Sequence, residues 1–120
     1  YLRKKYEKLA LNTSIPLLMG TLDYKTLNDE RVSLNGSIFF DGSNHNSMYY
    51  KLFLVPFAEY IPLSSKLPFL KKLNFGQGNF YPGDENTVFN LDSVAFSNLI
   101  CYDLSNPIIV KDFIKNGARF

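Results

Sequence analysis

The sequence predicts an α/β or α+β layered domain, and three observations carry that prediction. Apolar residues recur at helical spacing near both ends of the chain, strand-like runs bounded by turn residues fill the middle, and no internal repeat or low-complexity segment interrupts them. The chain has 120 residues, 46% hydrophobic and 16% aromatic, enough apolar material for one domain with a core.

The elements follow in order. Leu2, Tyr6 and Leu9 fall on one face among Arg3, Lys4, Lys5, Glu7 and Lys8, so the chain opens inside a helix. Asn12-Thr13-Ser14 breaks that period, and Ile15 to Leu22 is expected as a buried strand whose start Pro16 limits. Lys25 to Arg31 is polar and turn-like. Val32 to Phe40 resumes as a strand, meets the turn Asp41-Gly42-Ser43-Asn44, and is expected to pair antiparallel with Met48 to Phe53. Pro56 and Pro62 exclude regular structure from Val55 to Leu63, which puts Glu59 on a loop or short turn directly after the strand carrying Lys51. Gly76-Gln77-Gly78 and Pro82-Gly83-Asp84 predict a long open loop. Val88 to Leu91 and Val94 to Ile100 are two strands joined at Asp92-Ser93. Asn106 as N-cap and Pro107 in the first turn start a closing helix with Ile108, Ile109, Phe113 and Ile114 on one face, and Gly117 ends it.

Several function classes drop out. Thirteen basic against eleven acidic residues give a net charge of +2, too small and too scattered for a nucleic-acid surface. The most apolar stretch, Leu52 to Leu63, is broken by Pro56, Glu59 and Pro62, and none reaches the roughly eighteen residues of a membrane span. A single cysteine makes no internal disulfide, so it gives no clue to compartment. No His, Cys and carboxylate cluster has metal-ligand spacing, and Gly76-Gln77-Gly78 is too short to cradle a phosphate, so neither metal nor cofactor is expected. Neither a signal nor a transit peptide fits the opening helix, and the sequence reads as a piece of a longer protein.

Cys101 carries the chemistry. The apolar run Leu99-Ile100 ends in this thiol and turns polar at once in Tyr102-Asp103, as when a buried strand delivers a nucleophile to its tip. A lone cysteine is otherwise a small buried hydrophobe. Lys51 offers a cation for developing negative charge, and Glu59 a carboxylate to orient groups or move protons. The plainer alternative is a solvated ion pair contributing under about 1 kcal/mol. His45, the only histidine, lies in the polar turn Asn44-His45-Asn46 and is a weak candidate for a Cys-His dyad. Lys66, Lys71 and Lys72 beside Leu67, Phe69, Leu70 and Leu73 fit either a lid touching lipid or a surface segment packed on the core.

The run Tyr50-Lys51-Leu52-Phe53-Leu54-Val55-Pro56-Phe57-Ala58-Glu59-Tyr60-Ile61-Pro62 resembles a signature of bacterial apolipoprotein N-acyltransferases, in which a lysine precedes Leu-Val-Pro-Phe-Gly-Glu-Tyr. Leu99-Ile100-Cys101-Tyr102-Asp103 is similar to that family's Ile-Cys-Tyr-Glu nucleophile motif, and Phe80-Tyr81-Pro82-Gly83 to a loop between them. The resemblance implies the central part of one nitrilase-like (carbon-nitrogen hydrolase) domain over residues 1–120, an αββα sandwich present here in part. It implies transmembrane helices outside this chain, a bacterial inner membrane location, and a catalytic domain facing the periplasm. By the same resemblance, Cys101 takes an acyl chain from a phospholipid as a thioester, and the acyl group passes to the N-terminal amine of an apolipoprotein. Lys51 steadies the oxyanion with the Tyr102 backbone N–H, and Glu59, Tyr102 and Asp103 hold the site together. The family's general-base glutamate lies upstream of the lysine in a Pro-Glu context that does not precede Lys51 here, so it is expected before Tyr1. Asp103 replaces the usual glutamate and Ala58 a glycine, which leaves open a soluble nitrilase-superfamily amidase or a non-catalytic remnant of the fold.

Overall fold

Pro16 has no amide hydrogen to give a ladder, and the first strand begins on the residue after it. In the computed structural model, which describes residues 2–64, 66–67, 69 and 80–119, β1 spans Leu17–Leu27. It runs past Leu22 because the expected turn is confined to Asn28 and Asp29, whose φ values of 48° and 64° make the two-residue connection that suits strand twist. β2 (Glu30–Phe40) and β3 (Asn46–Tyr50) complete an antiparallel sheet in the order β1-β2-β3. β4 (Phe89–Leu91) and β5 (Val94–Phe96) form a separate hairpin around Asp92 and Ser93. Helix α1 (Leu2–Thr13) precedes the sheet, and a 3-10 turn (Cys101–Ser105) leads into α2 (Pro107–Lys115). Every named strand pair is antiparallel, so the described residues form an α+β unit.

The edge of β2 changes partner at the point that matters. β3 pairs with it as far as Gly36↔Tyr50, after which the Lys51 N–H donates to the Asn35 carbonyl at 2.8 Å. Farther along β2 the Tyr81 N–H donates to the Ser33 carbonyl at 2.8 Å, and Gly83 N–H donates back to the Lys51 carbonyl at 2.8 Å. Both backbone groups of Lys51 are thereby fixed. Gly83 is needed for this approach, since a Cβ there would lie 2.5 Å from the Tyr50 carbonyl oxygen.

Alternation along β2 sends its side chains to two cores. Phe39 joins Tyr49, Phe89, Phe113 and Ala118 beneath the β4–β5 hairpin and α2. Ile38 and Phe40 join Ala10, with Tyr6, Leu17, Met19 and Met48 packed around them. Edge-to-face pairs, Phe39 on Phe96 and Tyr49 on Phe113, knit the first core.

Four expectations need correcting. Helix α1 docks through Ala10 and Tyr6, while Leu2 and Leu9 are 61% and 52% exposed. Strand β1 alternates half-buried and exposed because it is an edge strand covered on one face. Helix α2 buries Phe113 with Ile109 one turn before it, leaving Ile108 and Ile114 on its flanks exposed. The strand expected to reach Ile100 ends at Phe96, since its partner β4 has only three residues. The helix signals hold: Asn106 Oδ1 accepts from the Ile108 N–H at 3.0 Å, and Gly117 takes φ 99° past the last turn. In the segment that fits either a lid or a surface piece packed on the core, Leu70, Lys71, Lys72 and Leu73 lie outside the described residues, as do Gly76, Gln77 and Gly78.

Candidate active site

Lys51 continues the alternation of β3, which puts its side chain on the Tyr49 side of the sheet, and only 1% of it is exposed. A buried ammonium requires a partner. Glu59 supplies it from the turn after Pro56, where Phe57 takes φ 63° and the Glu59 N–H donates to the Val55 carbonyl at 2.9 Å. Lys51 Nζ donates to both carboxylate oxygens, at 2.8 and 2.7 Å, and the Val55 N–H donates to Oε2 at 2.7 Å. With Glu59 only 16% exposed as well, this is an enclosed, hydrogen-bonded pair rather than a solvated one.

Cys101 stands at the start of the 3-10 turn with φ 52°, a left-handed conformation that non-glycine residues adopt at a cost of about 1–3 kcal/mol. Its residue is exposed. The approach is not the buried strand expected from sequence but an extended segment in which Leu99 and Ile100 rest on the first core. Asp103, fully buried in the same turn, holds the conformation. Its carboxylate accepts from the Ile100 N–H at 3.1 Å, from the Phe53 N–H at 2.7 Å and from the Tyr49 hydroxyl at 2.7 Å. The first bond closes the turn, and the other two tie it to the strand and loop that flank Lys51. Tyr102 adds a ring stacked on Phe53, with centroids 5.0 Å apart and planes 8° from parallel. Burial, reinforced by the Asp103 carboxylate, pushes the Tyr49 phenol far above its ordinary range and keeps it a donor.

Tyr102 and Asp103, the two residues after Cys101, are thus brought against Phe53, two positions past Lys51, and Lys51 against Glu59. His45 is not part of this assembly. It sits in the exposed turn at the other end of β3, where its Nδ1 lies 3.3 Å from Ser43 Oγ. Tyr49 is the residue that sequence reasoning missed, although its placement two positions before Lys51 puts both on one face. A cleft of about 680 Å³ opens beside the loop, lined largely by apolar side chains including Val32, Leu52, Phe53, Tyr60, Ile61 and Phe80. Among the described residues no group of His, Cys, Asp and Glu could hold a metal ion.

No protein-family model matches the chain. Individual relatives do. The chain is 33% identical over 69 residues to the apolipoprotein N-acyltransferase of Geobacter metallireducens, covering 58% of this chain and 13% of that protein. Against the apolipoprotein N-acyltransferase of Chlorobaculum tepidum it is 37% identical over 81 residues, 61% of this chain and 15% of the relative. Against that of Helicobacter hepaticus it is 31% identical over 105 residues, 88% of this chain and 26% of the relative. The chain therefore spans between 13% and 26% of the length of these relatives.

Proposed function

Since the chain is related to part of the bacterial apolipoprotein N-acyltransferases, we propose that it is the portion of such an enzyme's catalytic domain that carries the nucleophile and its cation. The α+β unit would then be one part of an αββα nitrilase-like sandwich. The observation that carries this function is the Asp103 carboxylate, which joins the turn presenting Cys101 to the backbone of Phe53, just past Lys51. A purely structural turn calls for neither a thiol nor a strained φ, and this one is anchored two residues past an enclosed lysine.

In the first half-reaction the Cys101 sulfur attacks the carbonyl of a phospholipid ester while its proton passes to a general base that the resemblance puts upstream of Lys51. A carbon–sulfur bond forms, negative charge gathers on the carbonyl oxygen near Lys51, and the ester carbon–oxygen bond breaks. The departing lysophospholipid oxygen takes up the proton. In the second, the N-terminal amine of diacylglyceryl-cysteine apolipoprotein attacks the thioester, an amide forms, and the thiol is regenerated. Glu59 keeps Lys51 oriented. The enzyme would act at the periplasmic side of the inner membrane, held there by parts outside this chain. Among the described residues no helix is long and apolar enough to cross a membrane.

Incubation of the full-length protein with phospholipid, followed by intact mass spectrometry, tests the thioester. The protein is expected to gain one acyl mass, and Cys101→Ala to gain none. An unmodified wild type in the presence of an intact general base would dismiss the thioester. Asp103 and Ala58, which depart from the acyltransferase pattern, leave room for a second reading as an amidase whose thioester is resolved by water. That reading predicts turnover of a soluble amide with no apolipoprotein acceptor.

A further inference from the structure

We infer that Tyr49 is a positioning residue for the proposed nucleophile, acting on Cys101 through Asp103 and at the same time linking it to the strand that leads into Lys51. The inference rests on the acyl-transfer reading and extends it to a side chain outside the sequence motifs. Tyr49 is completely buried, its ring is wedged against Phe113, and its hydroxyl donates to Asp103 Oδ2 at 2.7 Å. That same oxygen accepts from the Ile100 N–H at 3.1 Å, immediately before Cys101, and Oδ1 accepts from the Phe53 N–H at 2.7 Å.

The geometry makes the hydroxyl more than packing. A left-handed φ at a residue with a side chain persists only where its surroundings over-determine it. At Cys101 three of the restraints on the turn converge on one carboxylate, whose side-chain hydrogen-bond donor is Tyr49, beside the stack of Tyr102 on Phe53. Ser37, which pairs with Tyr49 across β2 and β3, is buried and its hydroxyl has no partner, so no bond from it to Asp103 duplicates the one from Tyr49. Lys51 directly follows β3, which holds Tyr49, and the two side chains share one face. A displacement of the carboxylate would therefore shift the sulfur relative to the ammonium, and a misplacement on the order of 1 Å at reacting groups costs about a hundredfold in rate.

The test uses the full-length protein, with Tyr49→Phe to delete the hydroxyl and keep the ring. Phe113→Leu is the comparison, because it loosens the same ring without touching Asp103. With phospholipid as acyl donor, Tyr49→Phe is expected to lower kcat for acyl-adduct formation about ten- to a hundredfold with KM for the donor unchanged. Phe113→Leu is expected to lower thermal stability and leave kcat within about twofold. Amide hydrogen exchange gives a readout independent of acyl transfer: in Tyr49→Phe alone, the Phe53 and Ile100 amides should exchange about tenfold faster relative to the rest of the core. Wild-type kcat in Tyr49→Phe, beside a Cys101→Ala variant that forms no adduct, overturns the inference and leaves the acyl-transfer reading standing. Loss of adduct formation in the wild type removes that reading, and unchanged exchange at the two amides then removes the positioning role too.

Discussion

The two faces of β2 are built from one strand with one alternation, yet they solve different problems. The face holding Ile38 and Phe40 meets Ala10, Leu17, Met19 and Met48, a set of apolar contacts whose stability scales with area removed from water. The face holding Ser37 and Phe39 meets aromatic rings too, but every buried polar or charged residue among those described, Ser37, Lys51 and Asp103, belongs to it or is bonded to it. Burial there is tolerated because Lys51 has a bidentate carboxylate and Asp103 has three donors. The difference teaches where to look for chemistry: one face is under pressure only to be apolar, whereas the other keeps charges that a purely structural core would be more stable without.

The sharpest way to break this contrast is to neutralise the second face. Lys51→Met leaves the Glu59 carboxylate enclosed with, among the described residues, the Val55 N–H as its remaining donor, and should cost about 3–5 kcal/mol of stability together with about a hundred- to a thousandfold in the rate of acyl-adduct formation. Adding Glu59→Gln should restore much of the stability and none of the rate. Denaturant midpoints beside adduct mass spectrometry would measure both, and a double variant as active as wild type would show the ion pair to be scaffold. On the apolar face, Phe40→Ala should cost a similar 3–5 kcal/mol or so in midpoint while the folded fraction keeps its adduct rate. Equal rate losses from the two faces would erase the distinction between them.

The sequence made this contrast only partly legible. Alternation in Val32 to Phe40, the Asp41–Asn44 turn and the Asn106-Pro107 helix start are local signals, and the structure follows them because each is enforced within a few residues. Lys51, Glu59, Cys101 and Asp103 could be named because the motif spacing is distinctive. Their geometry could not. That Asp103 would be buried and reach Phe53 depends on a contact between residues 50 positions apart, and Tyr49 is hidden in sequence because a tyrosine beside apolar neighbours resembles any core aromatic. The failures at Leu2, Leu9, Ile108 and Ile114 share a cause: periodicity marks an apolar face, but which part is covered depends on where partner elements stop.

A smaller effect comes from the joint between the faces. Gly83→Ala would drive a Cβ against the Tyr50 carbonyl and weaken the bond from Gly83 N–H to Lys51, so a loss of about 1–3 kcal/mol is expected, with a drop in adduct rate that Phe40→Ala does not show. Unfolding midpoints and adduct rates on these two variants would show whether the backbone of Lys51 needs the second anchor. A Gly83→Ala variant with wild-type values would mean that the 80–83 segment yields without disturbing the site.

The smallest effect lies on the apolar face, where Tyr50 donates to Asp23 Oδ2 at 2.6 Å. Burial, then the hydrogen bond to Asp23, pushes the phenol from 10.0 up to about 12, and the same bond leads the effects that lower the Asp23 carboxyl below 3.8. Both shifts favour the folded state near neutral pH, with opposite limits. The raised phenol contributes fully below pH 10.0 and loses its contribution as pH climbs toward 12, because the unfolded chain gives up its proton first. The lowered carboxyl contributes above pH 3.8 and loses its contribution as acid protonates the folded state. Tyr50→Phe should therefore flatten both limbs of a midpoint-against-pH curve, leaving at the alkaline end the slope that Tyr49 supplies. The change should be modest, since this pair is only partly enclosed and water screens it. Curves for Tyr50→Phe and wild type that stay parallel at both extremes would show that the bond is too solvated to link folding to pH.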